Sequence, residues 1–248
     1  MSTKVIGREA GHFADRRFRE RRRAWRRRVW WALPLCVAPV VAACLGLALL
    51  VAPEQLGFFV GFGLGAAAAM ALILIDSPPW HIERWRLGAE GEKRTAKALR
   101  PLTRHGWTLV NDVQTERGNM DHVLVGPAGA FLLETKSLGG IVSVERGALS
   151  VRWREDPDDG YEAPRVGPRA RALAAQLAER LREAGMPDVW VQPIVVLWSD
   201  FPQGSIQSDG VAWVAGKRLA RALAARPTTL SEEQTSDIMA VVRSSFGS

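Results

Sequence analysis

Two long apolar runs near the start of the chain constrain its fold more than any other feature. Residues 29–52 contain no charged side chain over 24 positions, and residues 56–75 contain none over 20. A helix needs about 20 residues to cross the roughly 30 Å hydrocarbon core of a bilayer. Only Pro53, Glu54 and Gln55 separate the two runs. The pattern therefore predicts two transmembrane helices joined as a hairpin.

Other features of the first run fit a retained membrane span. Pro34 and Pro39 would weaken a soluble helix but are tolerated in a spanning one. A cleaved lipoprotein signal is the alternative, because VAAC at 41–44 resembles a cleavage box ending at Cys44. However, the apolar run continues past that cysteine, and 28 residues is long for the leader of a signal. Cys36 and Cys44 are the only cysteines, so the chain has neither a disulfide framework nor zinc-type spacing.

The distribution of Lys and Arg predicts the orientation of the hairpin. Residues 1–28 hold eleven basic and three acidic residues, a local charge of +8, whereas the turn between the runs has no basic residue. The pattern predicts a cell-membrane protein with two spans. By the positive-inside rule, both of its termini are expected in the cytoplasm. The whole chain carries +7, so everything after residue 28 sums to −1. The basic excess thus describes a tail near lipid headgroups, and it gives no support for a basic nucleic-acid binder beyond the tail.

Small residues recur along the second run. Gly57, Gly61 and Gly65 stand four residues apart, which makes a smooth helix face that permits close approach of another helix. The partner is either the first helix of the same hairpin or a second copy of the chain in a homodimer.

The remaining chain predicts one α/β (α+β) domain. We assign residues 76–86 to a juxtamembrane linker that begins where Pro78 and Pro79 end the second helix, residues 87–226 to the domain, and residues 227–248 to a C-terminal helix and tail. Periodicity predicts helices over about 88–104, 168–185, 216–225 and 231–243. Short apolar runs predict strands over about 107–113, 120–125, 130–136, 140–144, 148–153, 189–199 and 210–215, with an acidic loop at 154–164. Strands flanked by helices indicate a layered domain.

One predicted hairpin, residues 118–137, carries three charges within an apolar sequence. If its GPAG turn is four residues long, paired positions sum to 255 and Asp121 faces Glu134 directly. Directly opposed side chains have Cβ atoms about 4.5–5.5 Å apart. Because side chains alternate along a strand, Lys136 lies on the same face as Glu134. The register thus predicts a cluster of two carboxylates and one amine at one end of the hairpin.

Such a cluster has two interpretations. Adjacent buried carboxylates are costly unless something neutralises them. A hard cation such as Mg²⁺ or Mn²⁺ would do so, with Asp121, Glu134, the carbonyl of Thr135 and waters as ligands. It would make a bound water nucleophilic, and Lys136 could orient that water and stabilise the charge of a phosphate. The alternative is an ion pair of Lys136 with one carboxylate and no metal, and the spacing leaves both open.

Three motifs occur in an order that resembles a known family: GAEGE at 88–92, GNMDHVLVGPAGAFLLETKS at 118–137, and the GG that follows. Asp121 followed after twelve residues by Glu134-Thr135-Lys136 resembles the signature of the PD-(D/E)xK nuclease superfamily. The three motifs together resemble the nuclease-related domain (NERD) family, over roughly residues 86–200. The resemblance implies a restriction-endonuclease-like mixed sheet flanked by helices, metal-dependent nuclease activity and a nucleic-acid partner.

The resemblance also implies roles for individual residues. Glu92 matches the helix glutamate of the superfamily site, which assists metal or water binding, although the helix dipole alone also favours a glutamate in a first turn. Many such domains carry a glutamine soon after a proline at the start of the helix behind the sheet. Here Arg171 stands at that position and Gln176 five residues later, so these two are the candidate substrate-binding residues. His122 points to the opposite face from Asp121 and is expected in the core.

Two classes of function are compatible with these features. The first is a membrane-anchored, cytoplasm-facing nuclease that hydrolyses DNA or RNA phosphodiester bonds, and the charged hairpin favours it. The second is a catalytically silent module that binds nucleic acid or protein at the membrane, and the charge of −1 after residue 28 favours that reading.

Overall fold

The computed structural model describes residues 5–51, 53–115 and 118–246. The chain divides into two compact units. One is the helical segment Asp15–Arg86, and the other combines the described residues up to Ala14 with those from Leu87 onward.

The helical unit contains the two apolar runs. Helix α1, His12–Val51, passes through Pro34 and Pro39 without a break, and helix α2 spans Leu56–Asp76. Within the described residues these two helices are long and apolar enough to cross a membrane, by length and composition. In the most apolar segment of each helix, only 6% and 11% of the residues are buried, whereas a core helix of a soluble protein is mostly buried. Helix α1 extends beyond the predicted span because the preceding basic segment is helical as well.

The two apolar helices approach each other closely at Gly63. A Cβ atom on Gly63 would lie 3.2 Å from the Cβ of Cys44. A Cβ atom on Gly57, Gly61 or Gly65 would meet nothing within 4 Å among the described residues. Packing of the hairpin against itself therefore uses Gly63, and the predicted glycine stripe is left open.

The second unit is built on a large mixed sheet. Its strands are β1 Val5–Gly7, β2 Thr108–Thr115, β3 Gly118–Gly126, β4 Gly129–Lys136, β8 Val191–Leu197, β9 Ser205–Ser208 and β10 Val211–Ala215. In the part of the chain that is described, these seven strands lie in the order β1-β2-β3-β4-β8-β10-β9. The pairs β1–β2, β4–β8 and β8–β10 are parallel, and the other three are antiparallel. A smaller antiparallel sheet contains β5 Ile141–Glu145, β6 Ala148–Arg152 and β7 Gly160–Ala163.

Helices cover both faces of the large sheet. They are α3 Trp80–Leu99, α4 Val166–Glu183, α5 Leu219–Ala224 and α6 Glu232–Phe246. Side chains of α4 and α6 pack with Val123, Val125 and Leu132 on one face. Side chains of α3 and α5 pack with Leu124 and Leu133 on the other. This arrangement confirms the predicted fold class, a mixed sheet flanked by helices and preceded by two apolar helices.

Three strands were not predicted, and one of them matters for the site. Strand β7 lies in the predicted acidic loop and β9 is a short polar edge strand. Strand β1 lies in the N-terminal tail and pairs in parallel with β2, with Val5 opposite Leu109. Gly11 then packs on α3, where a Cβ would lie 2.8 Å from the carbonyl oxygen of Ala89. The residues before α1 are therefore part of the sheet unit.

Candidate active site

The β3–β4 hairpin brings Asp121 and Glu134 together. Its register is the predicted one, since His122 pairs with Leu133 and the sum of paired positions is constant to the turn. Asp121 shares a strand face with Val123 and Glu134 shares one with Leu132, and both apolar residues belong to the core beneath α4 and α6. Asp121 is 9% exposed and Glu134 2%. The hairpin thus holds two buried carboxylates side by side.

Asp121 is fixed by the neighbouring strand. Its Oδ2 accepts a hydrogen bond of 2.7 Å from the backbone N–H of Thr135. Burial raises the pKa of Asp121 to about 7, and repulsion by Glu134 adds to this. Lys136, the Thr135 N–H and Arg169 oppose the rise. The surroundings thus hold the pKa of this carboxyl well above that of a solvent-exposed aspartate.

Glu134 receives two cations on one oxygen. Its Oε1 accepts hydrogen bonds from Lys136 Nζ at 2.7 Å and from Arg169 Nε at 3.2 Å. Its Oε2 is buried and has no hydrogen-bond partner among the described residues. Burial lowers the pKa of Lys136, but attraction by Glu134 and Asp121 outweighs it and leaves the pKa above its usual value. Lys136 is therefore a permanent cation beside both carboxylates.

Helix α3 contributes a third buried carboxylate, that of Glu92. Its position depends on Gly91, where a Cβ would lie 3.1 Å from Ser137 Cβ and 3.2 Å from the Thr135 methyl group. Close contact between α3 and β4 explains the second glycine of the GAEGE motif. The contact is reinforced by a hydrogen bond of 3.0 Å between the hydroxyl groups of Thr95 and Thr135.

The surroundings of Glu92 disfavour its charged form. Burial raises its pKa to about 9, with further repulsion from Asp121, Asp112 and Glu134 and some relief from Lys136. Its Oε2 is buried without a hydrogen-bond partner in the described structure. Such oxygens are costly to leave unpaired unless a proton or a cation compensates them.

Sequence reasoning missed Asp112, the acid opposite Asp121 on β2. The neighbours of Asp112 on β2 pair regularly with β3, but Asp112 itself has a φ of 55° and interrupts the β-sheet hydrogen bonding. Its Oδ2 accepts a hydrogen bond of 3.1 Å from the backbone N–H of Phe13, in the first turn of α1. Its Oδ1 is buried without a partner among the described residues. The sequence did contain a signal for Asp112, because an acidic residue next to Asn111 is unusual within an apolar strand.

Arg169 is the second residue of the cluster that was not among the predicted site residues. It lies in the first turn of α4, donates to Glu134 and also donates to the carbonyl oxygen of Asn119 at 3.3 Å. Its side chain is 49% exposed, so it reaches the cluster from the solvent side. The sequence contained this residue among several arginines of α4, and only the packing of the helix on β4 distinguishes it.

The structure does not bring the two candidate substrate-binding residues to the cluster. Arg171 donates to the carboxylate and the carbonyl of Asp209, in the turn between β9 and β10. Gln176 is half-buried farther along α4. A substrate contact by either residue stays a prediction. His122 lies in the core as expected: it is fully buried, its Nδ1 is 2.8 Å from the Asn111 side-chain oxygen, and burial lowers its pKa to about 3.

The carboxylate and carbonyl oxygens of the cluster suit a hard cation that keeps several waters. They do not suit a metal ion that is held by side chains alone. The described residues contain no group of three or more His, Cys, Asp or Glu side chains close enough to hold a metal ion. Mg²⁺ commonly uses one or two carboxylates and keeps several waters. Asp121 and Glu134 could supply those carboxylates and Thr135 its backbone carbonyl. The unpartnered oxygens of Glu134 and Glu92 fit such an ion and its waters.

Comparison with known proteins agrees with this geometry. No curated protein and no solved structure gave a match. One family model matched, over residues 87–198, and this segment contains Glu92, Asp121, Glu134, Lys136 and Arg169. The segment from α3 to the end of β8 is thus similar to the nuclease-related domain, NERD.

Proposed function

We propose that this protein is a membrane-anchored nuclease that hydrolyses DNA or RNA phosphodiester bonds with Mg²⁺ or Mn²⁺. The observation that carries the proposal is the buried cluster of Asp121, Glu134 and Lys136 on one hairpin, inside the segment that matches the nuclease-related domain. Glu92 approaches this cluster from α3 and Arg169 from α4.

The side chains divide the chemical work. A bound divalent cation supplies positive charge to the phosphate and makes nearby water more acidic. Asp121 and Glu134 would hold that cation through carboxylate oxygens. Lys136, a permanent ammonium beside them, orients the attacking water and stabilises negative charge developing on the phosphate. The pKa of Glu92 lies above neutral in the metal-free site. Beside a bound cation its carboxyl group would bind a water of the site.

Arg169 adds a contact that the other residues cannot make. It is half exposed and its guanidinium already lies at Glu134. An arginine in that position can donate one N–H to the carboxylate and another to a phosphate oxygen, because the guanidinium presents five donors.

Membrane attachment through residues 29–75 has a structural argument beyond the apolar helices. Strand β1 precedes α1, and it pairs with β2, which follows α2 and α3. Two hydrogen-bonded strands lie on the same side of a bilayer, so an even number of spans must separate them. A two-span hairpin meets this condition. The eleven Lys and Arg residues of the first 28 residues favour the cytoplasm for that side.

A silent binding module is the second candidate, and one observation favours it. Lys136 and Arg169 already compensate the charge of Glu134 without a metal, as in a structural ion-pair network. In that case the cluster would stabilise the fold, and the domain would act by binding nucleic acid or protein.

Cleavage assays on the full chain in detergent separate these functions. Single-stranded and double-stranded DNA and RNA are incubated with Mg²⁺, Mn²⁺ or a chelator. We expect metal-dependent cleavage that falls at least a thousandfold in Asp121→Asn and Glu134→Gln, because both lose a metal ligand. Asp158→Asn, in an exposed loop, is the matched control and should keep full activity.

Two results would contradict the proposal. Cleavage that persists in Glu134→Gln would remove this cluster from the reaction. If the wild-type chain cleaves nothing and calorimetry detects no Mg²⁺ or Mn²⁺ binding, the silent module is the correct reading.

A further inference from the structure

A basic groove lies along α3 in the sheet unit. It has a volume of about 790 Å³ and is bounded by the segment after β1, by α3 with the turn that follows it, and by β2. Five basic residues line it, together with one acid, Glu9: Arg8, Lys93, Lys97, Arg100 and Arg104. All five basic side chains are exposed.

Most of this positive charge is uncompensated. Within the described residues, Arg8, Lys97, Arg100 and Arg104 form no ion pair. On α4, by contrast, Arg180 pairs with Glu183. The charge of −1 after residue 28 therefore conceals a local concentration of cations, and Arg8 from the N-terminal tail adds to it.

The groove presents its cations in a row. Lys93, Lys97 and Arg100 follow at intervals of four and three residues, which places them on one side of α3 and its C-terminal turn. Seven residues of helix rise about 10 Å. Each strand of a duplex carries one phosphate per about 3.4 Å of helix axis. The row thus matches about three nucleotides of a nucleic-acid strand.

The groove also adjoins the cluster along the chain. Lys93 directly follows Glu92 on α3. Asn111, which lines the groove, directly precedes Asp112 and bonds the ring of His122. Both sequence neighbours bear on the site, since Glu92 is one of its carboxylates and Asp112 helps to raise the pKa of Glu92.

We infer that this groove binds the sugar–phosphate backbone of a nucleic-acid strand and leads it to the carboxylate cluster. The inference rests on the proposed function, because it names the surface that holds the substrate. Lipid headgroups carry the same phosphodiester chemistry, but a concave groove with cations in a row fits a linear polyanion better than a flat membrane surface.

The test compares two triple variants of the full chain in detergent. The groove variant is Lys97→Gln/Arg100→Gln/Arg104→Gln. The matched control, Lys217→Gln/Arg221→Gln/Arg243→Gln, removes the same charge from exposed sites elsewhere in the sheet unit. Both are made in the Glu134→Gln background with chelator present, so that the probe stays intact. Binding of fluorescein-labelled 30-nucleotide single-stranded and duplex DNA is measured by anisotropy across a salt series, and binding to phosphatidylserine vesicles is measured in parallel.

We expect the groove variant to bind the oligonucleotide on the order of a hundredfold more weakly in about 0.1 M salt, because each phosphate contact contributes about 0.7–0.9 to the salt slope. That slope should fall by about 2–3, and the control variant should stay within twofold of its parent. Equal losses in the two variants, or no loss in either, would overturn the inference. So would a loss of vesicle binding alone, which would assign the groove to the membrane surface.

Two further readouts keep the inference separate from the proposed function. Arg8 lies on the opposite wall of the groove, outside α3. Arg8→Gln should weaken oligonucleotide binding several-fold, and it tests the groove even if the triple variant fails to fold. If the wild-type chain cleaves nothing yet the groove variant loses binding, the groove stands and the nuclease proposal falls. If the wild-type chain cleaves and the groove variant binds like the control, the groove inference falls and the nuclease proposal stands.

Discussion

Replacing Glu92 by glutamine should stabilise the metal-free protein at neutral pH, although Glu92 belongs to the candidate site. Glu92 is 8% exposed, and burial together with repulsion from neighbouring acids raises its pKa from 4.5 to about 9. The folded state therefore holds a proton that the unfolded state has released. The stability that this proton contributes is fully present below pH 4.5 and is lost as the pH rises towards 9.

The expected size follows from the same pKa values. One pKa unit corresponds to about 1.4 kcal/mol. At pH 7 the solution lies 2.5 pH units above 4.5, so keeping Glu92 buried costs about 3 kcal/mol relative to a permanently neutral side chain. Part of this cost is repulsion shared with Asp121, and we therefore expect Glu92→Gln to gain about 2–3 kcal/mol. A domain of this size gains about 2–4 °C in Tm per kcal/mol, which gives a rise of about 5–10 °C.

Thermal unfolding of the full chain in detergent, followed by tryptophan fluorescence with chelator, measures this rise. The gain in Tm should be near zero at pH 4.5 and grow steadily to pH 8. Glu90→Gln is the matched control on the same helix, since the side chain of Glu90 is 40% exposed and pairs with Arg94 at the surface. Adding Mg²⁺ should raise the Tm of the wild type more than it raises the Tm of the Glu92→Gln variant. A Tm that falls by the same amount at every pH would refute the reasoning.

Two further predictions concern Arg169 and the open glycine stripe. Arg169→Gln should lower the proposed nuclease activity about 10–100-fold, because a hydrogen bond from a charged group to the phosphate contributes about 1.5–3 kcal/mol; Arg165→Gln, an exposed neighbour, should keep its activity in the same assay. If the stripe is the homodimer interface that the sequence suggested, Gly61→Leu should shift the full chain from dimer to monomer in sedimentation experiments in detergent, because a Cβ at Gly61 meets nothing among the described residues. Gly46→Leu, at another open position, is its control, and an unchanged dimer in Gly61→Leu would exclude the stripe as the interface.

The hairpin at the centre of the site could be predicted from sequence because its determinants are local. A Pro-containing turn fixes the register, and alternation then places Asp121 opposite Glu134. The buried strands on either side could be predicted for the same reason, because apolar runs of this length bounded by Gly and Pro have few alternative secondary structures. Glu92 was reached only through the resemblance to a family.

The contacts that were missed depend on residues far apart in the chain. Arg169 lies 35 residues from Glu134, and the smaller sheet is inserted between them, so no spacing rule connects them. Strand β1 has three residues and precedes a basic segment that resembles a tail. Its pairing with β2 depends on the shape of an exposed sheet edge, which a local pattern does not record.

Asp112 shows why the N-terminal segment belongs in any test of activity. Its Oδ2 accepts a hydrogen bond from Phe13, and its charge is one of those that raise the pKa of Glu92. A fragment that starts at residue 77 would lose β1 and the Phe13 N–H, and Asp112 would be left buried without its donor. An unpaired buried acceptor costs about 1–3 kcal/mol. We therefore expect such a fragment to unfold at lower temperature than the full chain, and Asp112→Asn to restore part of the loss. An inactive fragment would then report on a damaged sheet edge, and only the full chain can decide whether the carboxylates cleave nucleic acid.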